Sequence, residues 1–326
     1  MNVPVQASLW VFVVAAAGSA LAVPGWRHLC RRWDHVDAPG HRKIHGQPIP
    51  LAGGFAVFTG WILGAFLLWG LAHTAGLDAR TGGDAGIGVS AVRRWWVLAG
   101  AAWGVLLLGA WDDHRDLGAG WKFLGQALLA GVVAAWGVRM PLGSGSEALG
   151  FGLTVFWILA VTNAFNLSDN MNGLCAGLGF IGAAAVGWSA TGLRGPVELG
   201  PFAALIAGGL IGYLPYNYPR ASVFLGDAGS QSVGFLLAIL SMGTLASTAE
   251  SEPIPPKAWW VAFSVVAVPC IDMVFVTMAR TLRGQPFWVG DTGHLSHRLA
   301  RTPMGKVGAV AALWVLGALI AAWARL

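Results

Sequence analysis

Charge is what this sequence has least of. Only 11% of its 326 residues are Asp, Glu, Lys or Arg, against about 25% in an ordinary soluble domain. That shortage excludes a water-soluble body with a charged coat and places the chain among polytopic membrane proteins. Cysteine is scarce as well. Cys30, Cys175 and Cys270 lie far apart, without CxxC spacing or an evident pair, so they read as buried, inert thiols. The sequence also lacks an internal repeat, a heptad array and any nucleic-acid motif, and no nucleic-acid partner is expected.

What it has instead is apolar length. Hydrophobic residues make up 56% of the chain, with a mean hydropathy of +0.64. A membrane span needs roughly 17–25 mostly apolar residues. Ten runs qualify, at about 7–25, 51–72, 94–111, 121–139, 150–166, 174–192, 198–215, 229–248, 258–280 and 306–324. Backbone polar groups have no water partner at that depth, so the runs must be helices. The short connections leave little room for a soluble unit, and residues 1–326 read as one integral-membrane domain. The expected fold is therefore all-α, with about ten transmembrane helices. GSALA in the first run resembles a cleavage site. Yet no Lys or Arg precedes the run, whereas Arg27, Arg31 and Arg32 follow it, which favours a retained span.

Gaps between the runs differ sharply by parity. The odd gaps carry 13 Lys/Arg and 8 acidic residues, the even gaps six of each. Seven of the eight histidines are also in odd gaps. The positive-inside rule then puts the odd face in the cytoplasm and both termini outside. Many of the 18 tryptophans, such as Trp26, Trp95, Trp96, Trp111 and Trp121, sit near run ends, where interfacial anchoring is expected. The pI near 9.5 reflects the basic inner loops.

Basic loops alone are membrane topology, but the odd gaps also hold carboxylates and amides. Asp112, Asp113 and Asp116 crowd the end of the third run; if its helix continues, 112/116 and 113/116 are repelling neighbours. A cation or a proton-transfer role would justify them, and a solvated helix end is the plain alternative. Lys122, opening the fourth run, is a suitable cation for phosphate. Asn163, Asn166, Asp169 and Asn172 recur every three residues, and three consecutive members span about 120° of a helix. Such a stripe suits a hard cation or a nucleotide, or simply interhelical hydrogen bonding. Asp227 lies in Gly-Asp-Ala-Gly-Ser before the eighth run, as an N-cap or as a metal ligand where glycines admit phosphate. Arg42, Lys43 and His45 precede Gly53-Gly54 at the second run. His294, His297, Arg298 and Arg301 fall within a 100° helical arc, suited to a diphosphate or a membrane surface. Zinc is not expected there, for want of a nearby third ligand. Asp272 lies inside the ninth run, where an ionised carboxylate costs about 2.5–3.5 kcal/mol on insertion scales, so it should face inward, paired with Arg280 or Arg283 or serving catalysis.

Together these strings resemble the polyprenyl-phosphate N-acetylhexosamine-1-phosphate transferase superfamily, glycosyltransferase family 4 in bacteria, over residues 34–301. The stretch GQPFWVGDTGHLSHRL is similar to the loop of the N-acetylglucosamine-type branch rather than that of the related muramoyl-pentapeptide transferases. The resemblance implies transfer of N-acetylhexosamine 1-phosphate from a UDP-sugar to polyprenyl (undecaprenyl) phosphate with release of UMP. That would be a first membrane step of cell-envelope polysaccharide synthesis at the inner membrane, facing the cytoplasm. It implies catalytic roles for Asp112, Asp113, Asp169, His294 and His297, and substrate contacts from Lys43, Lys122, Asn163 and Arg298. Mg²⁺, or Mn²⁺ in its place, would sit on Asn166 and Asp227. UDP-sugar, polyprenyl phosphate and the lipid bilayer are the implied partners, with a homodimer left open. Three positions depart from the family pattern: Asn170 for a usual Gly, Asn172 for a common second Asp, and Ser296 for a histidine. The rivals are another UDP-sugar donor, including UDP-MurNAc-pentapeptide, and a transporter or flippase with ionisable groups spread through broken helices.

Overall fold

The computed structural model describes residues 3–38, 46–74, 89–142, 146–190, 199–246, 254–286 and 293–326. Within the described residues each of the ten apolar runs is helical over most of its length. The order is α1 (Val3–Arg32), α2 (Gly53–Thr74), α3 (Val89–Arg115), α4 (Ala119–Ala135), α5 (Glu147–Ser168), α6 (Leu174–Ala190), α7 (Leu199–Tyr213), α8 (Gly226–Ala246), α9 (Pro256–Ser264), α10 (Ala267–Leu282), α11 (Leu295–Ala300) and α12 (Gly305–Trp323). The described extended structure is one two-residue antiparallel pair, β1 (Val36–Asp37) with β2 (Ile49–Pro50). The all-α, multi-pass membrane architecture stands: among the described residues six helices are long and apolar enough to cross a bilayer, or seven with the bent α9–α10 pair. Both α4 and α6 are apolar but only 17 residues long.

The ninth run is not one straight span, as its length suggested. It breaks after Ser264, and α9 and α10 meet at 83°. Pro269 explains the break, because it has no N–H to donate to the carbonyl of Val265 four residues earlier. That carbonyl packs instead where Gly182 of α6 leaves room. Past the bend, α10 turns Ile271, Val274, Phe275 and Met278 outward while Asp272, Val276 and Arg280 are buried.

At the centre stands α8, buried along almost its whole length. It packs against α2, α3, α5, α6, α7 and α9. Lipid and side-chain interiors are equally apolar, so association in a membrane relies on close backbone approach and internal hydrogen bonds. Glycines supply the approach. A Cβ on Gly54 of α2 would lie 2.5 Å from the Gly229 nitrogen, and one on Gly234 would lie 2.7 Å from the Thr162 Cα of α5. On α3, a Cβ on Gly109 would meet the Asp227 carbonyl oxygen at 2.5 Å. Two buried hydroxyls of α8 donate to its own backbone, Ser232 to Ala228 O at 2.7 Å and Ser241 to Ala238 O at 2.7 Å.

The entry to α8 is fastened on its other side. Gly53 and Gly54 N–H groups donate to Phe224 O (2.8 Å) and Leu225 O (3.0 Å), and Phe224 N–H donates to Pro50 O (2.9 Å). This three-bond seam ties the loop before α8 to the start of α2.

Gly109→Ala should therefore push α3 off the first turn of α8 and cost about 1–3 kcal/mol. Gly100→Ala on the same helix, with nothing within 4 Å, should not destabilise. Thermal unfolding in detergent separates the two; equal melting temperatures would contradict the packing account.

Candidate active site

The ends of α3 and α5 and the starts of α4 and α8 converge on one point. The apolar run of α3 ends at Trp111, and Asp112 and Asp113 follow it. The helix stops at Arg115, and Asp116, at φ +50°, turns the chain into the left-handed region. The expected repelling helical pairs with Asp116 therefore do not form. Asp112 stabilises the turn by accepting the Leu117 N–H at 2.9 Å. The reversal starts α4 at Ala119 and brings Lys122 back over the end of α3.

Lys122 is the centre of the cluster. Its Nζ lies 2.6 Å from Asp112 Oδ2 and 2.6 Å from Asp227 Oδ2, and donates to Asn166 Oδ1 at 3.0 Å. Asn166 in turn donates to Asp227 Oδ1 (2.7 Å) and Ser230 Oγ (2.9 Å). Four elements thus share one charged network: the ends of α3 and α5 and the starts of α4 and α8. An amide chain extends it inward. Asn163 donates to Gln126 at 2.7 Å, Gln126 to Gln231 at 3.0 Å, and Gln231 reaches Asp112 Oδ2 at 3.5 Å.

Asp113 and Asp227 exchange one expected role. As an N-cap, Asp227 would have served α8 itself; the structure assigns the capping to Asp113. Its two oxygens accept the Asp227 N–H (2.8 Å) and the Ala228 N–H (3.0 Å). An anion at a helix N-terminus satisfies orphan donors and complements the helix dipole. Gly226, at φ +72°, makes the turn possible, and a Cβ there would sit 2.8 Å from Asp113 Oδ2. The Asp227 side chain is thereby free to face Lys122 and Asn166.

The three-residue stripe is divided. Asn163 and Asn166 remain on α5, but the helix ends at Ser168 and Asp169 is its C-cap. Asp169 accepts the Gly226 N–H beneath the glycine turn. Asn172 lies in the following turn and donates to Pro219 O at 3.3 Å. Continuing the helix would have been needed to keep all four on one face.

Crowded acids raise one another. Burial pushes Asp169 up to about 8, with Asp227 and then Asp113 adding to it. Burial and then Asp227 push Asp113 up to about 7. Asp112 reaches about 6 through burial and its contact with Asp227, against the pull of Lys122. Burial leads in all three and the neighbouring carboxylates add to it, and perturbed acids gathered in one place mark a candidate functional site.

The cationic loop forms a second cluster. Short α11 starts after His294, which is not on its helical face but buried against Asp272, Nδ1 to Oδ2 at 2.7 Å. Of the inward roles left open for Asp272, pairing with Arg280 or Arg283 or catalysis, the described contact is instead with His294. The His297 ring centroid is 6.2 Å from that of His294. Burial lowers the His297 pKa, with His294, Arg301 and Lys306 acting in the same sense. Arg298 places its guanidinium 4.6 Å above the ring of Phe275. The two clusters are linked through the turn after Asp169, where Ser296 donates to Asn170 Oδ1 at 2.6 Å. Lys43, with Arg42 and His45, lies outside the described residues.

Sequence reasoning passed over Gln126, Ser230 and Gln231. The signal was present as helical spacing: Gln126 is four residues after Lys122, and Ser230 and Gln231 are three and four after Asp227. Asp112 Oδ2, Asp227 Oδ2 and Asn166 Oδ1 surround a cation with the hard oxygens that Mg²⁺ prefers. Among the described residues no group of three or more His, Cys, Asp or Glu is arranged to hold a metal by itself.

Known proteins are similar to this chain over most of its length. A profile of glycosyl transferase family 4 matches residues 95–244. The chain is 32% identical over 346 aligned residues to the decaprenyl-phosphate N-acetylglucosaminephosphotransferase of Mycobacterium tuberculosis (strain H37Rv), covering 96% of this chain and 81% of that one. It is 28% identical to a probable undecaprenyl-phosphate N-acetylglucosaminyl 1-phosphate transferase of Bacillus subtilis (strain 168), with 94% and 81% covered. Identity is 29% to the undecaprenyl-phosphate alpha-N-acetylglucosaminyl 1-phosphate transferase of Escherichia coli (strain K12), over 90% and 77%.

Removing the cap tests the local architecture. Asp113→Ala should cost about 0.5–2 kcal/mol of stability, and Asp113→Asn, which keeps one acceptor, should cost less. Unfolding in mixed micelles gives the order; an Ala variant as stable as the parent would contradict the capping role.

Proposed function

The chain belongs to glycosyl transferase family 4, and on that premise we propose that it transfers N-acetylglucosamine 1-phosphate from its UDP-sugar to polyprenyl phosphate, releasing UMP. The observation that carries this reading is the Lys122-centred cluster: phosphate-compatible positive charge, carboxylates and an amide at one helix N-terminus. The N-acetylglucosaminyl activities of the relatives support this donor over UDP-MurNAc-pentapeptide.

Two polyanions must meet for this reaction. An oxygen of the lipid phosphate attacks the sugar-bearing phosphorus of the donor, and the bond from that phosphorus to the UMP oxygen breaks. Asp227 and Asn166 are the residues that would hold Mg²⁺, because their oxygens already surround a positive charge. Bound Mg²⁺ supplies charge neutralisation to the diphosphate and to departing UMP, typically through one or two protein carboxylates plus substrate oxygens. Lys122 exchanges its carboxylate contacts for phosphate. Asp112, pushed up to about 6, takes any proton left on the acceptor phosphate, whose second ionisation is also near 6. Asp113 has both oxygens on backbone N–H groups, so its part is to hold Asp227 in place. Asp169 and Asn163 support the nucleotide side, and His294, His297 and Arg298 receive the diphosphate.

We place this site on the cytoplasmic face of the inner membrane, with ten crossings and both termini outside. The clustering of residues from the third, fifth and seventh gaps supports one shared face. The transporter reading has less support, since Asp272, the acid inside a span, closes on His294.

Purified protein supplied with undecaprenyl phosphate, Mg²⁺ and a panel of UDP-sugars should release UMP, most rapidly from UDP-N-acetylglucosamine. EDTA should abolish release and added Mg²⁺ restore it. Asp227→Ala should lose at least about 100-fold in kcat while remaining folded. No UMP from any UDP-N-acetylhexosamine, with an active relative as control, would overturn the assignment.

A further inference from the structure

The loop 293–301 carries the cations assigned to the donor diphosphate, yet α11 within it has only six residues. Such a short helix needs outside support to keep a fixed direction. The structure supplies three contacts. Asp272 engages both carboxylate oxygens, Oδ2 with His294 Nδ1 at 2.7 Å and Oδ1 with the Leu295 N–H at 2.7 Å. One turn along α10, Phe275 lies under the Arg298 guanidinium. On the opposite side, Ser296, 1% exposed, donates to Asn170 Oδ1 at 2.6 Å. Asn170 is anchored in turn, its Nδ2 donating to Leu167 O at 2.7 Å.

These contacts connect two separate parts of the site. Asn170 directly follows Asp169, which underlies the glycine turn at the start of α8. Asp272 belongs to α10, beyond the bend in the ninth run. A carboxylate buried in a span is costly unless its partners are specific, and here both oxygens are directed at one short segment. The imidazole orientation also follows: with Nδ1 turned to the carboxylate, Nε2 points away from Asp272.

We propose that Asp272 and the Asn170–Ser296 hydrogen bond act as a two-point clamp that aims the His294–Arg298 loop at the donor diphosphate, making Asp272, Asn170 and Ser296 positioning residues. This rests on the transferase reading above. The clamp also gives a physical sense to two of the three departures from the family pattern, Asn170 and Ser296, because they are bonded to each other.

The test is a double-mutant cycle on the full-length protein in detergent with Mg²⁺, using UDP-N-acetylglucosamine and undecaprenyl phosphate. Asn170→Ala and Ser296→Ala should each raise the donor KM about 3- to 10-fold, the loss of one neutral hydrogen bond. The double variant should be no worse than either single one, and Ser296→Thr, which keeps the hydroxyl, should restore the donor KM. Asp272→Asn, which presents an amide to Nδ1 or to Leu295, should raise it by roughly 10-fold or more. The acceptor KM should not move, and the melting temperature of Ser296→Ala should fall by no more than about a few degrees. Additive single effects, equal shifts in both KM values, or a lowered melting temperature without a donor effect would overturn the clamp. Equilibrium dialysis of UDP-N-acetylglucosamine keeps the two readings apart. Binding that weakens across the variants without turnover sustains the clamp and sinks the transfer reaction, whereas unchanged binding sinks the clamp alone.

Discussion

One ammonium group organises this end of the molecule. Lys122 Nζ sits within 3.0 Å of oxygens from α3, α5 and α8, and it reaches them because the chain reverses sharply at Asp116. Asp112 is 7% exposed, so the pair with Lys122 is shielded from water on one side. Breaking a buried pair by removing one partner typically costs about 3–5 kcal/mol, because the other charge is left uncompensated. The cluster is therefore a structural keystone and a poised charge centre together. Its acids outnumber its lysine; burial first, and then the neighbouring Asp227 carboxylate, raise Asp113 and Asp169. A divalent cation between phosphates would offset the excess of acids.

Bringing four helix ends to one point demands a backbone that can approach closely. The glycines at 54, 109 and 234 let α2, α3 and α5 contact α8 with no side chain between them. Asp113 then closes the N-terminus of α8, and Gly226 allows the turn that presents Asp227. The seam between residues 50–54 and 224–225 holds the same turn from the side of α2. Packing and chemistry are thus the same set of contacts at this point. A change that separates α3 from α8 must also move the acid that faces Lys122.

Much of this was legible in the sequence, for a definite reason. Spans announce themselves because a bilayer admits only long apolar helices, and the described part of each run is mostly helical. Asp112, Asn166, Asp227 and Lys122 stood out because polar groups at the ends of such runs are expensive or purposeful. Contacts between distant residues were not legible. Nothing local distinguishes Asp113 from Asp112, yet one caps α8 from 114 residues away and the other pairs with Lys122. Asp272 found its partner in a loop 22 residues on, not at the helical spacing of Arg280. The break at Pro269 was overlooked because hydropathy averages across it. Gln126 and Gln231 were hidden within apolar runs, where amides also serve as ordinary interhelical ties.

The oxygens of Asp227 and Asn166 are proposed as the cation-dependent heart of the site. Mn²⁺ reports on this directly through its electron paramagnetic resonance signal. Titrated into purified protein with UDP-N-acetylglucosamine present, it should saturate one site per chain, and Asp227→Ala should abolish that site. Equal Mn²⁺ binding by the parent and by Asp227→Ala would contradict the account.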